Sequence, residues 1–356
     1  MRFVCGQVPI LFIAFGIMLG GMAPAAEAAA RGEIAGVTVQ VNEGDPVPDA
    51  ALLRSFLKPG QTVRDVLGWR RTEHAKGVYA MPQSNADLYA LVAAAGGKNV
   101  VTLFSGNMLY NMKSDDFPVT PEQIDGFANY AAWVVRNDGG RQADGRAANI
   151  PNLYAVTIWN EMNGSWHGTI QRTADREAAM AALLKVVVPK IRAANPSVHI
   201  AAGAFVGFQG LAEWFQQIGK TFDWNSVDWL DIHPYLGDER QMPLEKWTLA
   251  MQRLRSGRRP EGIPAIRNPA YYSEWGGPSA VRYTLAHAGD AGAPDYFEWF
   301  EKNIVGADPV PVAGGNYFTL VANPNFPRQG LSTSPSSAAM TGLGSAFRSR
   351  YVSPQK

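Results

Sequence analysis

The sequence predicts a single-domain α/β protein of the (β/α)8 TIM-barrel type, and three observations carry that expectation. From Ile34 onward, β-rich apolar runs alternate with helical patterns eight times, over a length of the order that a closed parallel barrel needs, about 250 residues and more with insertions. The joints between them are short and polar, and neither an internal repeat nor a domain linker interrupts them. No Gly-rich phosphate loop follows any strand, which speaks against a doubly wound open sheet.

Taken in order, Ile34 to Val41 reads as a first strand and Asp49 to Leu57 as a short helix closed by Pro59-Gly60. Thr62 to Leu67 is a second strand running into Gly68-Trp69-Arg70-Arg71-Thr72-Glu73. The next helix begins near Ser84, with Asp87 three residues on as an approximate capping box. It carries Leu88, Leu91, Val92 and Ala95 on one face and stops at Gly96-Gly97. Asn99 to Phe104 is a third strand. In Thr120-Pro121-Glu122-Gln123 a cap, a proline at the first helical position and a glutamine at the third announce a helix, with Ile124, Phe127, Ala128 and Ala131 as its stripe.

Asn137 to Asn152 is a loop. The run from Leu153, β-branched and aromatic, is a fourth strand that breaks into Trp159-Asn160-Glu161. Thr173 to Ala194 is the clearest helix: Met180, Leu183, Leu184, Val187, Val188 and Ile191 fall at helical spacing, with acids in the first turn, bases in the last and Pro189 as a local bend. Val198 to Phe205 and Val227 to Ile232 are the fifth and sixth strands, the latter ending in His233-Pro234-Tyr235. Pro243 to Arg255 is a helix, and Pro264 to Ser273 holds a seventh strand ending in Glu274-Trp275-Gly276-Gly277. Pro294 to Ile304 is helical, Gly315 to Val321 is an eighth strand, and Ser336 to Arg348 is a last helix.

Composition narrows the partners. The 356 residues are 46% hydrophobic and 18% charged, enough for one large core. A formal net charge of +1 gives no reason to expect nucleic acid or an acidic membrane surface. Residues 1–30 read as a signal peptide: Arg2 supplies the positive start, Val8 to Leu19 the apolar run, and Ala26-Glu27-Ala28 the cleavage signal. The run is short for a membrane span, and an uncleaved anchor is the alternative. Residues 31–356 are then the barrel domain. The single cysteine, Cys5, falls in the leader, so the mature chain has no disulfide, thiol nucleophile or thiolate metal site. An exported protein, periplasmic or extracellular, is expected.

Two carboxylates stand where strands run out into loops. In a parallel barrel that C-terminal edge is where chemistry is done. Glu161 follows strand four and Glu274 ends strand seven, 274 − 161 = 113 residues later. Three strand–helix units cover that separation, so the two acids would face each other across the mouth. Retaining glycosidases need such a pair about 5 Å apart, one acid as proton donor and one as nucleophile; inverting ones need a wider gap for a water. Like charges that close push one pKa up and keep one acid protonated. The plainer alternatives are that Asn160-Glu161 caps its loop and that Glu274 bonds the flanking backbone.

Trp159-Asn160-Glu161, His233-Pro234-Tyr235 and Ser273-Glu274-Trp275-Gly276 resemble the motifs at strands four, six and seven of clan A retaining glycoside hydrolases. Val63-Arg64-Asp65-Val66-Leu67-Gly68-Trp69, followed by Glu73 and Gly77-Val78-Tyr79, resembles the second-strand signature of family 39, and most of all its hydrolases of bacterial exopolysaccharide clusters. Gly330-Leu331 to Ala339 is similar to the end of those barrels. The resemblance implies that Glu161 is the general acid/base and Glu274 the nucleophile. It implies that Asn160 binds the sugar 2-hydroxyl, that His233 and Tyr235 orient the carboxylates, that Arg64 holds Glu274 ionised, and that Trp69 and Trp275 form stacking walls.

Duller roles stand beside these: His233 as a core histidine, Arg64 as a strand ion pair, Asp228 and Asp231 as strand-end polar groups. Trp166 and His167 either line the cleft or pack its rim. The eighth strand, Asn316-Tyr317-Phe318-Thr319, lacks the tryptophan many clan members place there, Gly68 replaces a larger polar residue, and no β-sandwich is expected after Arg348. Asn163-Gly164-Ser165 is a sequon read as coincidence. The expectation is a monomeric endo-acting hydrolase of a β-linked polysaccharide or oligosaccharide, without cofactor or metal. A xylan-, mannan- or glucan-cleaving enzyme of the same clan, and a barrel that binds polysaccharide without cutting it, are the alternatives.

Overall fold

The computed structural model describes residues 34–136, 150–164, 173–235, 244–257, 265–288, 295–322, 328–335 and 340–353. The leader with Cys5, and Ser165, Trp166 and His167, lie outside them. Among the described residues no helix is long and apolar enough to cross a membrane.

The strands are β1 (Gly36–Thr38), β2 (Thr62–Gly68), the small hairpin β3 (Glu73–Ala75) and β4 (Val78–Tyr79), then β5 (Lys98–Phe104), β6 (Leu153–Ile158), β7 (His199–Val206), β8 (Trp229–His233), β9 (Ala270–Gly276) and β10 (Gly314–Phe318). All but the hairpin pair in parallel, in the order β1-β2-β5-β6-β7-β8-β9-β10, and β10 returns to β1 to close the barrel. The expected (β/α)8 architecture is the one observed.

Alternation along each strand divides the barrel into two cores. Outward side chains meet the helices in one continuous cluster. The helix Thr173–Ala194 contributes Met180, Leu183, Leu184, Val187, Val188 and Ile191 to it, each worth roughly 1.5–3 kcal/mol of burial. Inward, Val100, Ala155, Ala201, Trp229 and Tyr271 form a separate apolar plug. Two residues further along four of the same strands come Thr102, Thr157, Asp231 and Ser273, all 0% exposed. The barrel therefore changes from apolar to polar toward the C-terminal mouth, and the charged groups sit above that step.

Helix starts obey local chemistry where a cap exists. Asp49 accepts from Leu52 N at 2.6 Å ahead of the helix Ala50–Phe56, and Thr120 and Gln123 form the complete capping box of the helix Pro121–Val135. The box expected at Ser84 and Asp87 does not form. That helix spans Gln83–Ala94 behind an uncapped Pro82, and Asp87 instead accepts from Gln83 Nε2 at 2.6 Å. The last helix is shorter than expected, Gly342–Phe347, because Thr341 caps Gly344 N. Three helices were not anticipated, the single turn Trp69–Thr72, Leu211–Gly219 and Pro278–Ala286.

Candidate active site

Where β6 leaves the barrel, the backbone takes an unusual path. Trp159 and Glu161 both have positive φ, 67° and 46°, in a region that costs a non-glycine residue about 1–3 kcal/mol. Packing offsets the cost. The Trp159 indole is fully buried against Phe104, Phe117 and Phe127 at 5.1, 4.8 and 5.4 Å between ring centroids, and the backbone N–H of Trp159 continues the β5 ladder to Leu103 O at 2.9 Å. Beyond Glu161, the Asn163 amide bonds Val206 N and O, each at 2.8 Å, and Arg176 Nη1 donates to the carbonyls of Asn163 and Gly164. The kinked exit is thereby fixed on both sides, and the Asn163 amide of the sequon is engaged with backbone.

On β9 a different irregularity works. Gly315 of β10 pairs with Tyr272 and Tyr317 with Trp275, so β9 holds one residue more than its neighbour across this step. Such a bulge interrupts alternation and re-aims a side chain. Ser273 and Glu274 both face the interior, where they meet His233, Arg64 and Tyr235. Tyr272 and Trp275 both pack among the outer helices, against Trp247 and Phe300.

The two exits converge. Glu161, His233 and Glu274 each present a donor atom within 4.8 Å of the others. Arg64 Nη1 donates to Glu274 Oε1 at 2.5 Å, and Arg64 Nη2 to Asn160 Oδ1 at 3.1 Å. The Tyr235 hydroxyl donates to Glu274 Oε2 at 2.5 Å. His233 Nδ1 lies 2.8 Å from Glu161 Oε1 and 3.6 Å from Glu274 Oε2, while Nε2 meets Ser273 Oγ at 2.8 Å. The structure thus brings Arg64 and Tyr235 to Glu274, His233 to both carboxylates, and Asn160 to Arg64. A small cation could find this donor spacing, but Arg64 and His233 already balance the acids, so the set reads as ion-paired acids.

Electrostatics separates the groups. Burial pushes the Glu274 carboxyl up, but Arg64, His233 and the Tyr235 hydroxyl outweigh it and hold the group below its ordinary value. Burial works against a charged His233 as well, yet Glu274, Glu161 and Asp231 raise it above the usual imidazole range. Glu274 is therefore a carboxylate supported by two cations, and Glu161 stands beside the second of them.

Trp69 and Trp275 are not walls of this cleft. Both are 0% exposed. Trp69 Nε1 donates to Glu73, and its ring is enclosed by Tyr110, Phe127 and Tyr130. Trp275 donates to Ile34 O at 3.1 Å and stacks on Phe300 at 4.5 Å, because the bulge turns it outward. The aromatic side chain beside Glu274 is instead Tyr235, whose ring meets Phe318 at 6.3 Å between centroids, both close to Gly277, which sits at φ 48°. Asp228 is structural, holding Arg192 and Ile200 N. Asp231 is no strand-end group; it lies inside the barrel beneath His233, 0% exposed. Ser273 had no assigned role; it faces inward in step with Tyr271 two residues earlier, and it is Glu274 that the bulge turns inward beside it.

Neither a protein-family model nor a curated protein matches the chain. Solved structures do. A family 39 glycoside hydrolase from the gut symbiont Bacteroides cellulosilyticus WH2 is 18% identical with a TM-score of 0.59, over 91% of this chain and 65% of that one, so the chain spans just under two thirds of it. A family 39 β-xylosidase from Caulobacter crescentus is 17% identical with a TM-score of 0.57, over 90% of this chain and 71% of that one. The hyperthermostable endo-1,4-β-D-mannanase from Thermotoga petrophila RKU-1 is 14% identical with a TM-score of 0.54, over 90% of this chain and 99% of that one. At these identities the likeness is one of fold: the chain has the closed (β/α)8 barrel found in these glycoside hydrolases.

Proposed function

We propose that the chain is a retaining glycoside hydrolase that cleaves a β-linked polysaccharide by double displacement. One observation carries the reading: carboxyl oxygens of Glu161 and Glu274, delivered by strands on opposite sides of the mouth, lie within 4.8 Å. That separation suits direct attack by one acid while the other protonates the leaving oxygen, and is short for an intervening nucleophilic water. Glu274, held ionised, attacks the anomeric carbon; Glu161 gives its proton to the departing oxygen; water activated by Glu161 then releases the sugar. Asn160 accepts from Arg64 through Oδ1, which leaves its NH2 as the donor for the 2-hydroxyl.

The fold neighbours named as a mannanase and a β-xylosidase support a β-linked substrate, the motif resemblance supports an exopolysaccharide, and the signal-like residues 1–30 support an exported enzyme. The test is Glu274→Ala on an activated β-aryl glycoside with azide. Rescue giving the α-glycosyl azide is expected; a wild type active on that glycoside whose variant azide cannot restore removes Glu274 as nucleophile. Glu161→Gln should spare activated leaving groups and cripple natural linkages, which alone need protonation. Polymer binding without new reducing ends would favour a non-catalytic barrel.

A further inference from the structure

Asp231 is a fully buried acid that the reaction above does not use. It shares the inward face of β8 with His233, two residues away, and its Oδ1 lies 3.8 Å from His233 Nε2. Neither carboxylate oxygen has a hydrogen-bond partner of good geometry. A buried anion without donors is costly unless a nearby cation compensates it. The groups around it are His233 on its own strand, Arg64 on β2, and Ser273, Glu274 and Tyr271 on β9, with Glu161 and Tyr235 on the far side of the imidazole. Two cations and two further acids therefore meet in one buried cluster, with Asp231 at its base.

We propose that Asp231 is a positioning residue: it is the buried counter-charge that keeps His233 an imidazolium donating Nδ1–H to Glu161. That form accounts for every contact in the cluster. A protonated ring donates at both nitrogens, to Glu161 Oε1 and to Ser273 Oγ, and this leaves the Ser273 hydroxyl hydrogen free to turn toward Asp231. A ring neutral at Nε2 would draw that hydrogen to itself and leave Asp231 without it. The consequence reaches the acid/base: a ring already protonated cannot take up the proton that Glu161 carries, and its charge stabilises the Glu161 carboxylate left when that proton goes to the leaving oxygen. Burial outweighs the pull of His233, the Ser273 hydroxyl and Arg64 and leaves the Asp231 carboxyl above its ordinary value, so its charge depends on these neighbours staying in place.

The inference rests on Glu161 as acid/base, but its test needs no substrate. The imidazole signals of the full chain's five histidines are titrated by NMR, with His233 assigned by His233→Gln. Asp231→Asn should lower the His233 pKa by about one unit or more, and Asp231→Glu should restore most of the shift. In active enzyme the alkaline limb of kcat/KM should move down with it. A folded Asp231→Asn variant with an unmoved His233 titration overturns the role. If that variant does not fold, Ser273→Ala is read the same way: a lowered His233 pKa supports the relay and an unmoved one overturns it. A shifted titration in a chain that hydrolyses nothing sinks the hydrolase reading alone.

Discussion

The hydroxyl of Tyr235 is the sharpest probe of the proposed chemistry, because Tyr235→Phe removes one oxygen and leaves the ring against Phe318. That oxygen donates to Glu274 Oε2 at 2.5 Å. A hydrogen bond to a charged group contributes about 1.5–3 kcal/mol. It is strongest on the free carboxylate and weakest on the neutral glycosyl ester, so the step that suffers is the one in which carboxylate charge returns. Hydrolysis of the intermediate should slow by roughly 10- to 100-fold, with kcat and KM falling together and a burst of aryl leaving group appearing. The sign in pH is also fixed. Tyr235 helps hold Glu274 below its ordinary value, so its loss raises the carboxyl pKa and moves the acid limb of kcat/KM up by about one unit. Stopped-flow release of dinitrophenol against pH reads both. A variant with kcat within twofold of wild type and an unmoved acid limb would refute the reasoning.

Other expectations are simpler to check. Since Glu274 is depressed in the fold, its ionisation stabilises the protein above about pH 4.5, and that contribution is lost as pH falls through the depressed value; urea melts should show a shallower acid-side decline in Glu274→Gln, and an unchanged slope would count against it. Asp308→Ala would leave Arg255, whose Nε and Nη2 it holds at 2.9 and 2.6 Å, buried and unpaired, at a cost of about 3–5 kcal/mol in urea melts; a loss under 1 kcal/mol would contradict that, and activity per folded molecule should not change. Gly276→Ala, at φ 85° with its new Cβ colliding with the Tyr317 ring, should cost about 2 kcal/mol or more and lower the thermal midpoint by several degrees, whereas an unchanged midpoint would show that Tyr317 can move aside.

Near-continuous apolar runs and polar strand ends announced the barrel, since a strand buried on both faces can hardly be written another way. The acids were visible for the same reason: Glu161 and Glu274 interrupt apolar strands where only function or a partner tolerates them. What stayed hidden depends on irregularity. The helix Leu211–Gly219 begins at Gly210 in the left-handed region without a side-chain cap, so nothing marked its start. Trp69 and Trp275 look like sugar platforms because aromatic residues beside a catalytic-type acid suggest contact. Their direction was set by the Trp69–Glu73 hydrogen bond and by the extra residue in β9, neither of which leaves a mark in composition.

That extra residue links two things usually thought separable. Laid out in strict alternation from Ser273, without the bulge, the same letters would send a carboxylate among Phe297 and Phe300 and an indole toward the opening. A designer grafting the Ser273-Glu274-Trp275 triplet onto another barrel would therefore have to transplant the spacing as well as the letters.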